Sequence, residues 1–180
     1  EDCVSHAFNP SLSEGEVTPL TPKAQPQHAS SKTYQSGDCK INGGGLNSQE
    51  DWVVEGRAMV SDVAITYLGY VNRDSGVIEE KGHPLDGRAI EDTVLIYPKG
   101  SGSTVAPYVL MGLIYTGKGP KAIVNRDVCS LTLPACSLLN LPYSHGFAED
   151  PCLAVNDGDL VRLSNSSGSV TLEVLERVGE

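Results

Sequence analysis

The passage with most chemical potential is Pro98-Lys99-Gly100-Ser101-Gly102-Ser103-Thr104, which runs straight into Val105 to Tyr115. A Gly/Ser loop that opens a helix presents unbonded backbone N–H groups and the positive end of the helix dipole, and together these bind a carboxylate or a phosphate. Gly100 and Gly102 would let the backbone approach such a ligand closely, and Ser101, Ser103 and Thr104 bring hydroxyls to the same place. The spacing is not that of a P-loop, because no Gly-Lys-Ser/Thr follows where one is needed, so nucleotide hydrolysis is not supported. The same pattern also serves simply to turn a chain and cap a helix. His83, in Lys81-Gly82-His83-Pro84-Leu85-Asp86-Gly87, is a candidate acid/base group or anion donor, or else a turn histidine bonded to backbone. His145 has the same two readings. His6 and His28 fall in a linker-like stretch and are discounted. Arg57 and Arg126 could face an anionic substrate, though surface ion pairing is the commoner fate of such residues. Asp62 could cap or orient its neighbours.

The elements around the loop follow from periodicity. Thr93 to Tyr97 is a short, nearly all-apolar, β-branched run, the pattern of a strand buried on both faces, and Lys121 to Val124 is a second. Between them Val105, Val109 and Leu113, with Tyr108, recur at helical spacing and predict one inward face. Ser103 or Thr104 is the expected N-cap, Pro107 falls in the first turn, and Gly117 and Gly119 end the helix. Strand, loop, helix and strand make a crossover unit. Trp52 to Ser61 and Ala64 to Leu68 are predicted strands, followed by a turn at 72–76 into Val77-Ile78. Asp127 to Asn140 is expected to be a helix broken near Pro134. Leu160 to Leu163 and Val170 to Leu175, with a turn at Ser167-Gly168, read as a terminal hairpin.

The composition divides the chain. Residues 1–51 hold 13 apolar residues, about a quarter, with four Pro, seven Ser and five Gly, whereas 58 of the 129 residues from 52 to 180 are apolar. The first stretch, with Pro-Leu-Thr-Pro at 19–22 and Gly43-Gly44-Gly45, is expected to be a flexible polar linker or extension, and the folded unit to span 52–178. A net charge of −10 argues against a nucleic-acid backbone as partner. No apolar run is long enough to suggest a membrane span. Glu1-Asp2-Cys3 does not read as a signal peptide, and the chain reads as a processed or excised piece of something longer. Five cysteines, an odd number without CxxC, suggest reduced thiols in a cytoplasmic protein. Cys129, Cys136 and Cys152 could be drawn as a metal or iron–sulfur set, but their spacing matches no compact motif and buried packing is the simpler role.

Five ordered segments carry a resemblance: Glu55 to Asp62, Tyr67 to Ile78, Gly82 to Gly87, Tyr97 to Thr104 and Lys121 to Asn125. Over about residues 53–177 the chain resembles the swivel domain, or small subunit, of the aconitase X family. The resemblance implies an α/β, swivelling β/β/α domain of aconitase type. It implies a hydro-lyase that is active only with a larger catalytic part, fused or separate, which carries an iron–sulfur cluster. In the family the serine of the Gly-Ser-Thr motif abstracts the proton; here that position is Ser103. Gly100, Ser101, Gly102, Thr104 and His83 are the expected contacts to a small anionic substrate. Members dehydrate either cis-3-hydroxy-L-proline or mevalonate 5-phosphate. The linker-like leader favours the former, since the single-chain branch is associated with the amino-acid substrate, while the loop resembles the latter branch at least as well. A non-catalytic anion-binding module of the same fold is a third possibility. A phosphate-carrying domain would need a histidine where this chain has Ser103.

Overall fold

The computed structural model describes residues 39–46 and 50–179. His6, His28, Cys3 and the Pro-Leu-Thr-Pro stretch lie outside them. Seven strands close into a barrel in the order β1 (Lys40–Gly45), β7 (Tyr143–His145), β6 (Ala122–Asn125), β4 (Val94–Tyr97), β2 (Trp52–Val60), β8 (Leu160–Ser166) and β9 (Ser169–Glu176), with β9 returning to β1. Strands β2, β4, β6 and β7 run parallel to one another, and β8, β9 and β1 complete the ring with antiparallel pairings. Beyond the ring, β3 (Ile65–Thr66) and β5 (Gly100–Ser101) form a two-stranded parallel sheet. The helices are α1 (Tyr67–Tyr70), α2 (Ala106–Tyr115), α3 (Leu133–Leu138) and α4 (Pro151–Ala154).

Two cores explain the sequence pattern. Val94, Ile96, Ala122 and Val124 join Val161, Leu163, Val170, Leu172 and Val174 inside the barrel. The alternate residues Leu95, Tyr97 and Ile123 turn outward against Leu110 and Leu113 of α2 and Ala135 and Cys136 of α3. Both central strands are therefore buried at every position, as their unbroken apolar runs predicted. The crossover from β4 through α2 to β6 is present and its strands are parallel. The terminal hairpin is present too, with Leu163 opposite Leu172 and a two-residue turn in which Ser167 (φ 50°) and Gly168 (φ 83°) are both left-handed.

The predicted boundary at 52 is too late. Lys40–Gly45, placed in the linker, is the strand that closes the barrel, pairing with β9 from Lys40 to Gly44 and with β7 at Gly44 and Gly45. Its glycines are packing residues: a Cβ on Gly43 would lie 2.8 Å from the Phe147 ring, and one on Gly45 2.8 Å from Val170 Cγ2. Three smaller corrections follow from local chemistry. Ala64 to Leu68 is strand only at Ile65–Thr66, because Gly69 (φ 91°) turns the chain through the irregular turn of α1. Pro134 lies in the first turn of α3 and starts that helix instead of breaking it, leaving six helical residues where fourteen were expected. On α2 the inner face is Ala106, Val109, Leu110 and Leu113, while Val105 and Tyr108 are 45% and 71% exposed.

A buried ion pair ties the chain's end to the barrel. Asp159, fully buried, accepts from Arg177 Nη1 (2.8 Å) and from the backbone N–H groups of Asn156 (2.9 Å) and Val178 (3.0 Å), and Arg177 Nη2 donates to the Ala154 carbonyl (3.1 Å). Asp159→Ala leaves a buried guanidinium without its carboxylate, and the expected loss is about 3–5 kcal/mol in urea unfolding. Burial raises the thiol pKa values of Cys39, Cys136 and Cys152, the last up to about 12. In the unfolded chain thiols ionise near pH ~8.5, so above that pH the unfolded state binds fewer protons than the folded one. The stability these thiols contribute is complete below that range and is lost as pH rises. The unfolding free energy from urea titrations is expected to hold to about pH 8 and then fall, by up to about 1.4 kcal/mol per pH unit for each thiol.

Candidate functional site

The parallel strands β2, β4, β6 and β7 all end on one side of the barrel, so the segments that leave them (61–66, 98–105, 126–132 and 146–150) share that side. In open parallel sheets this is the end where ligands collect. The Gly/Ser loop follows β4 and is braced along its first half. Ile65 N–H donates to the Lys99 carbonyl (3.3 Å), and Ile65 and Thr66 pair with Gly100 and Ser101. Gly102 (φ 93°) then turns the backbone outward, and a Cβ there would lie 3.0 Å from Thr66 Cγ2.

Ser103 and Thr104 are exposed beyond that turn, Ser101 is half-buried and Gly100 is buried. The Ser103 carbonyl accepts from Ala106 N–H (2.9 Å), and its Oγ accepts from Val105 N–H at 3.4 Å. Val105 occupies the N-cap position, so neither Ser103 nor Thr104 is the cap residue. The Ser103 hydroxyl nonetheless bonds to the first residue of the helix entrance. The backbone N–H groups of Gly102, Ser103 and Thr104 have no acceptor among the described residues. Pro107, in the first turn, has no N–H to offer. The result is an exposed hydroxyl and three N–H groups without an acceptor among the described residues, just before the positive end of a ten-residue helix. Beside it, exposed Val105 and Tyr108 line a groove of about 280 Å³ with Leu68 and Arg73.

Beneath the loop lies a buried polar layer absent from the sequence expectations. The Tyr67 and Tyr97 hydroxyls are 2.8 Å apart, and Tyr97 Oη is 3.1 Å from Thr132 Oγ1. Asn125 Nδ2 donates to the Tyr97 carbonyl (3.2 Å), and Cys129 N–H donates to Tyr143 Oη (3.2 Å). Burial pushes the Tyr67, Tyr97 and Tyr143 phenols above their ordinary range, so they remain neutral hydrogen-bonding groups. Tyr97 at the end of a doubly buried strand is the signal that could have found this layer, because a buried phenol needs a partner.

The other expected residues are more scattered. His83 is buried in its own turn: Nδ1 accepts from Leu85 N–H (3.1 Å), so the proton sits on Nε2, which has no partner among the described residues. No described hydrogen bond links it to the loop. Arg57 pairs with Glu176 (3.1 Å), and Arg126 pairs with Asp150 (3.1 Å) and Asp127 (3.5 Å). Asp62 is exposed, and it is Ser61 Oγ that accepts from Val63 N–H (3.0 Å) in that turn. Burial lowers the pKa of His145. Cys129 lies under the loop, Cys136 in the outer core on α3, and Cys152 against the barrel interior on α4. These thiols do not converge, and no group of three or more His, Cys, Asp or Glu among the described residues could hold a metal ion. The described part of this chain thus offers no ligand set for an iron–sulfur cluster. Among those residues no helix is long and apolar enough to cross a membrane.

A family profile for the aconitase X swivel domain matches residues 47–172. The chain belongs to that family, and is the swivel part of an aconitase X-type dehydratase. It is 35% identical over 117 residues to the phosphomevalonate dehydratase small subunit of Methanocella arvoryzae, covering 65% of this chain and 89% of that one. The phosphomevalonate dehydratase small subunit of Pyrococcus abyssi is 30% identical over 133 residues, covering 74% and 98%. The crystal structure of aconitase X from Thermococcus kodakaraensis, in its holo form, superposes with a TM-score of 0.67 at 28% identity, covering 77% of this chain and 99% of that one. The aconitase-type swivel fold expected from the five motifs is therefore the fold of this chain.

The loop's geometry yields a paired expectation. Gly102→Ala forces a left-handed residue to carry a side chain and is expected to cost about 1–2 kcal/mol. Gly112→Ala on α2, where a Cβ would meet nothing within 4 Å, is expected to stabilise by about 0.5–1 kcal/mol. Urea unfolding of the two variants checks both signs.

Proposed function

We propose that this chain supplies the base and part of the anion site for the dehydration of mevalonate 5-phosphate, acting with a larger catalytic part. The observation that carries the reading is the Ser103 hydroxyl, exposed at the entrance of α2, accepting the Val105 N–H and accompanied by three N–H groups that have no acceptor among the described residues. In the reaction a carbon next to the substrate carboxylate loses a proton, the neighbouring carbon loses its hydroxyl as water, and a double bond forms between them. Ser103 Oγ takes the proton. A serine hydroxyl is a weak base in water and has to be activated. The Val105 N–H and the helix end favour the alkoxide, and both act more strongly once a partner surface excludes water. The Gly102, Ser103 and Thr104 N–H groups hold the substrate carboxylate or phosphate, with Gly100 keeping the loop close to the barrel and the Ser101 hydroxyl at its rim. His83 has only Nε2–H left to offer the substrate. An iron–sulfur cluster, assigned to the larger part, would supply Lewis acidity for the departing hydroxyl.

The substrate assignment follows the relatives, which are named phosphomevalonate dehydratase small subunits. cis-3-Hydroxy-L-proline, the substrate favoured by the linker-like leader, is the other compound to assay. With Lys40–Gly45 a barrel strand, part of that leader belongs to the domain, and the argument from a linker weakens. The test combines the chain with its large catalytic part and measures loss of water from each compound. Turnover of mevalonate 5-phosphate is expected, and Ser103→Ala should lower kcat about 10²–10⁴-fold while assembly stays intact. Turnover of hydroxyproline alone would overturn the substrate, and near-normal turnover by Ser103→Ala would overturn the base.

A further inference from the structure

On the reading of Ser103 as the base, we infer that Cys129 is a positioning residue: its thiol stands in for a third strand beside β5 and holds the backbone from which Ser103 projects. One edge of β5 is paired with β3. Successive strand residues direct their N–H and C=O groups to opposite edges, and the Lys99 carbonyl already accepts from Ile65, so Gly100 directs its own pair away from β3. Gly100 is buried, and a buried backbone pair at an open strand edge needs partners. Cys129 Sγ provides both. It accepts the Gly100 N–H at 3.1 Å, and Sγ lies 3.9 Å from the Gly100 carbonyl oxygen, a long contact in which the thiol is the donor. A thiol is suited to this because it is at once a weak acceptor and a weak donor.

Cys129 is itself fixed. It is 5% exposed, its N–H donates to Tyr143 Oη on β7 (3.2 Å), and its carbonyl accepts from Thr132 N–H (3.2 Å) and Leu133 N–H (2.9 Å) at the start of α3. Gly100 leaves no slack between the two: a Cβ there would lie 3.3 Å from Sγ and 3.2 Å from Thr132 Oγ1. A continuous line of contacts thus runs from barrel strand β7 through Cys129 to Gly100, three residues before Ser103. Between Gly100 and Ser103 stand only Ser101, paired with Thr66, and Gly102, turned at φ 93° against Thr66, so a displacement at the thiol is carried to the hydroxyl.

The test uses two readouts. In the complex with the large catalytic part, Cys129→Ala is expected to lower kcat on the order of 10–100-fold with little change in KM, since a misplaced base harms the chemical step more than binding. Cys129→Ser, which keeps a donor and an acceptor, should recover most of the loss. In the full chain alone, amide hydrogen exchange at the bonded N–H groups of Gly100, Ser101, Val105 and Ala106 should accelerate in Cys129→Ala by about tenfold or more while β8 and β9 keep their protection. Unchanged loop exchange, unchanged kcat, or no recovery with serine overturns the role. If Cys129→Ala does not fold, Tyr143→Phe frees only the backbone anchor, and loop exchange and kcat must then shift together or the role is refuted. Should Ser103→Ala retain turnover, the base assignment fails, while the exchange result still reports independently whether Cys129 holds the loop.

Discussion

The barrel closes only because one stretch of chain can pass where there is no room for side chains. Strand β1 lies between β7 and β9, and at Gly43 and Gly45 any Cβ would run into Phe147 or Val170. Closure removes the free edges that β7 and β9 would otherwise present, and Ile41 and Cys39 then seal one side of the interior. An open sheet would leave both edges wet and its inner residues half-solvated. The composition that makes 40–45 look like a linker is the composition that close backbone approach requires.

Closure has a consequence for the other end of the parallel strands. With the interior filled by Val94, Ile96, Val124 and their partners, no ligand can enter the barrel. Any chemistry must happen on top of it, on the segments that leave β2, β4, β6 and β7. Those segments need support outside the ring, and β3 pairing with β5 provides the first layer of it. The second layer is polar: Tyr67, Tyr97, Thr132 and Cys129 bond to one another or to backbone where an apolar floor would have left Gly100 unsatisfied. The loop is thus hydrogen-bonded at its base and exposed at its tip.

What the sequence made legible was what local periodicity encodes. Two apolar runs too short for helices announced β4 and β6, alternation announced β8 and β9, and a Gly/Ser loop before Pro107 announced the entrance of α2. Non-local features were hidden. β1 earns its place through contacts with Phe147 and Val170, more than a hundred residues away in sequence, so its own six residues carry little signal. Val105 and Tyr108 fit the stripe of Val109 and Leu113 yet are exposed, because Val105 is the N-cap residue ahead of the helix and Tyr108 lies off the face that Ala106, Val109, Leu110 and Leu113 bury. Sequence alone offers Cys129 as a metal ligand or as packing. Its bond to Gly100 depends on how the segment after β6 lies over the loop after β4, and spacing along the chain does not encode that.

The exposure of Ser103 is the feature that gives the rest its direction. A serine in contact with bulk water is a poor base, since solvent protonates its alkoxide and competes for the same N–H groups. Were Ser103 buried within this chain, however, no substrate could reach it. A hydroxyl prepared on a rigid base but left open at the tip resolves the conflict, provided that another surface closes over it. The apolar Val105 and Tyr108 beside it are the kind of surface that loses little on being covered. On the proposed role of Ser103 as the base, separating it from the surface that dries it would confine the reactive alkoxide to the closed state, in which proton abstraction from substrate competes least with protonation by solvent.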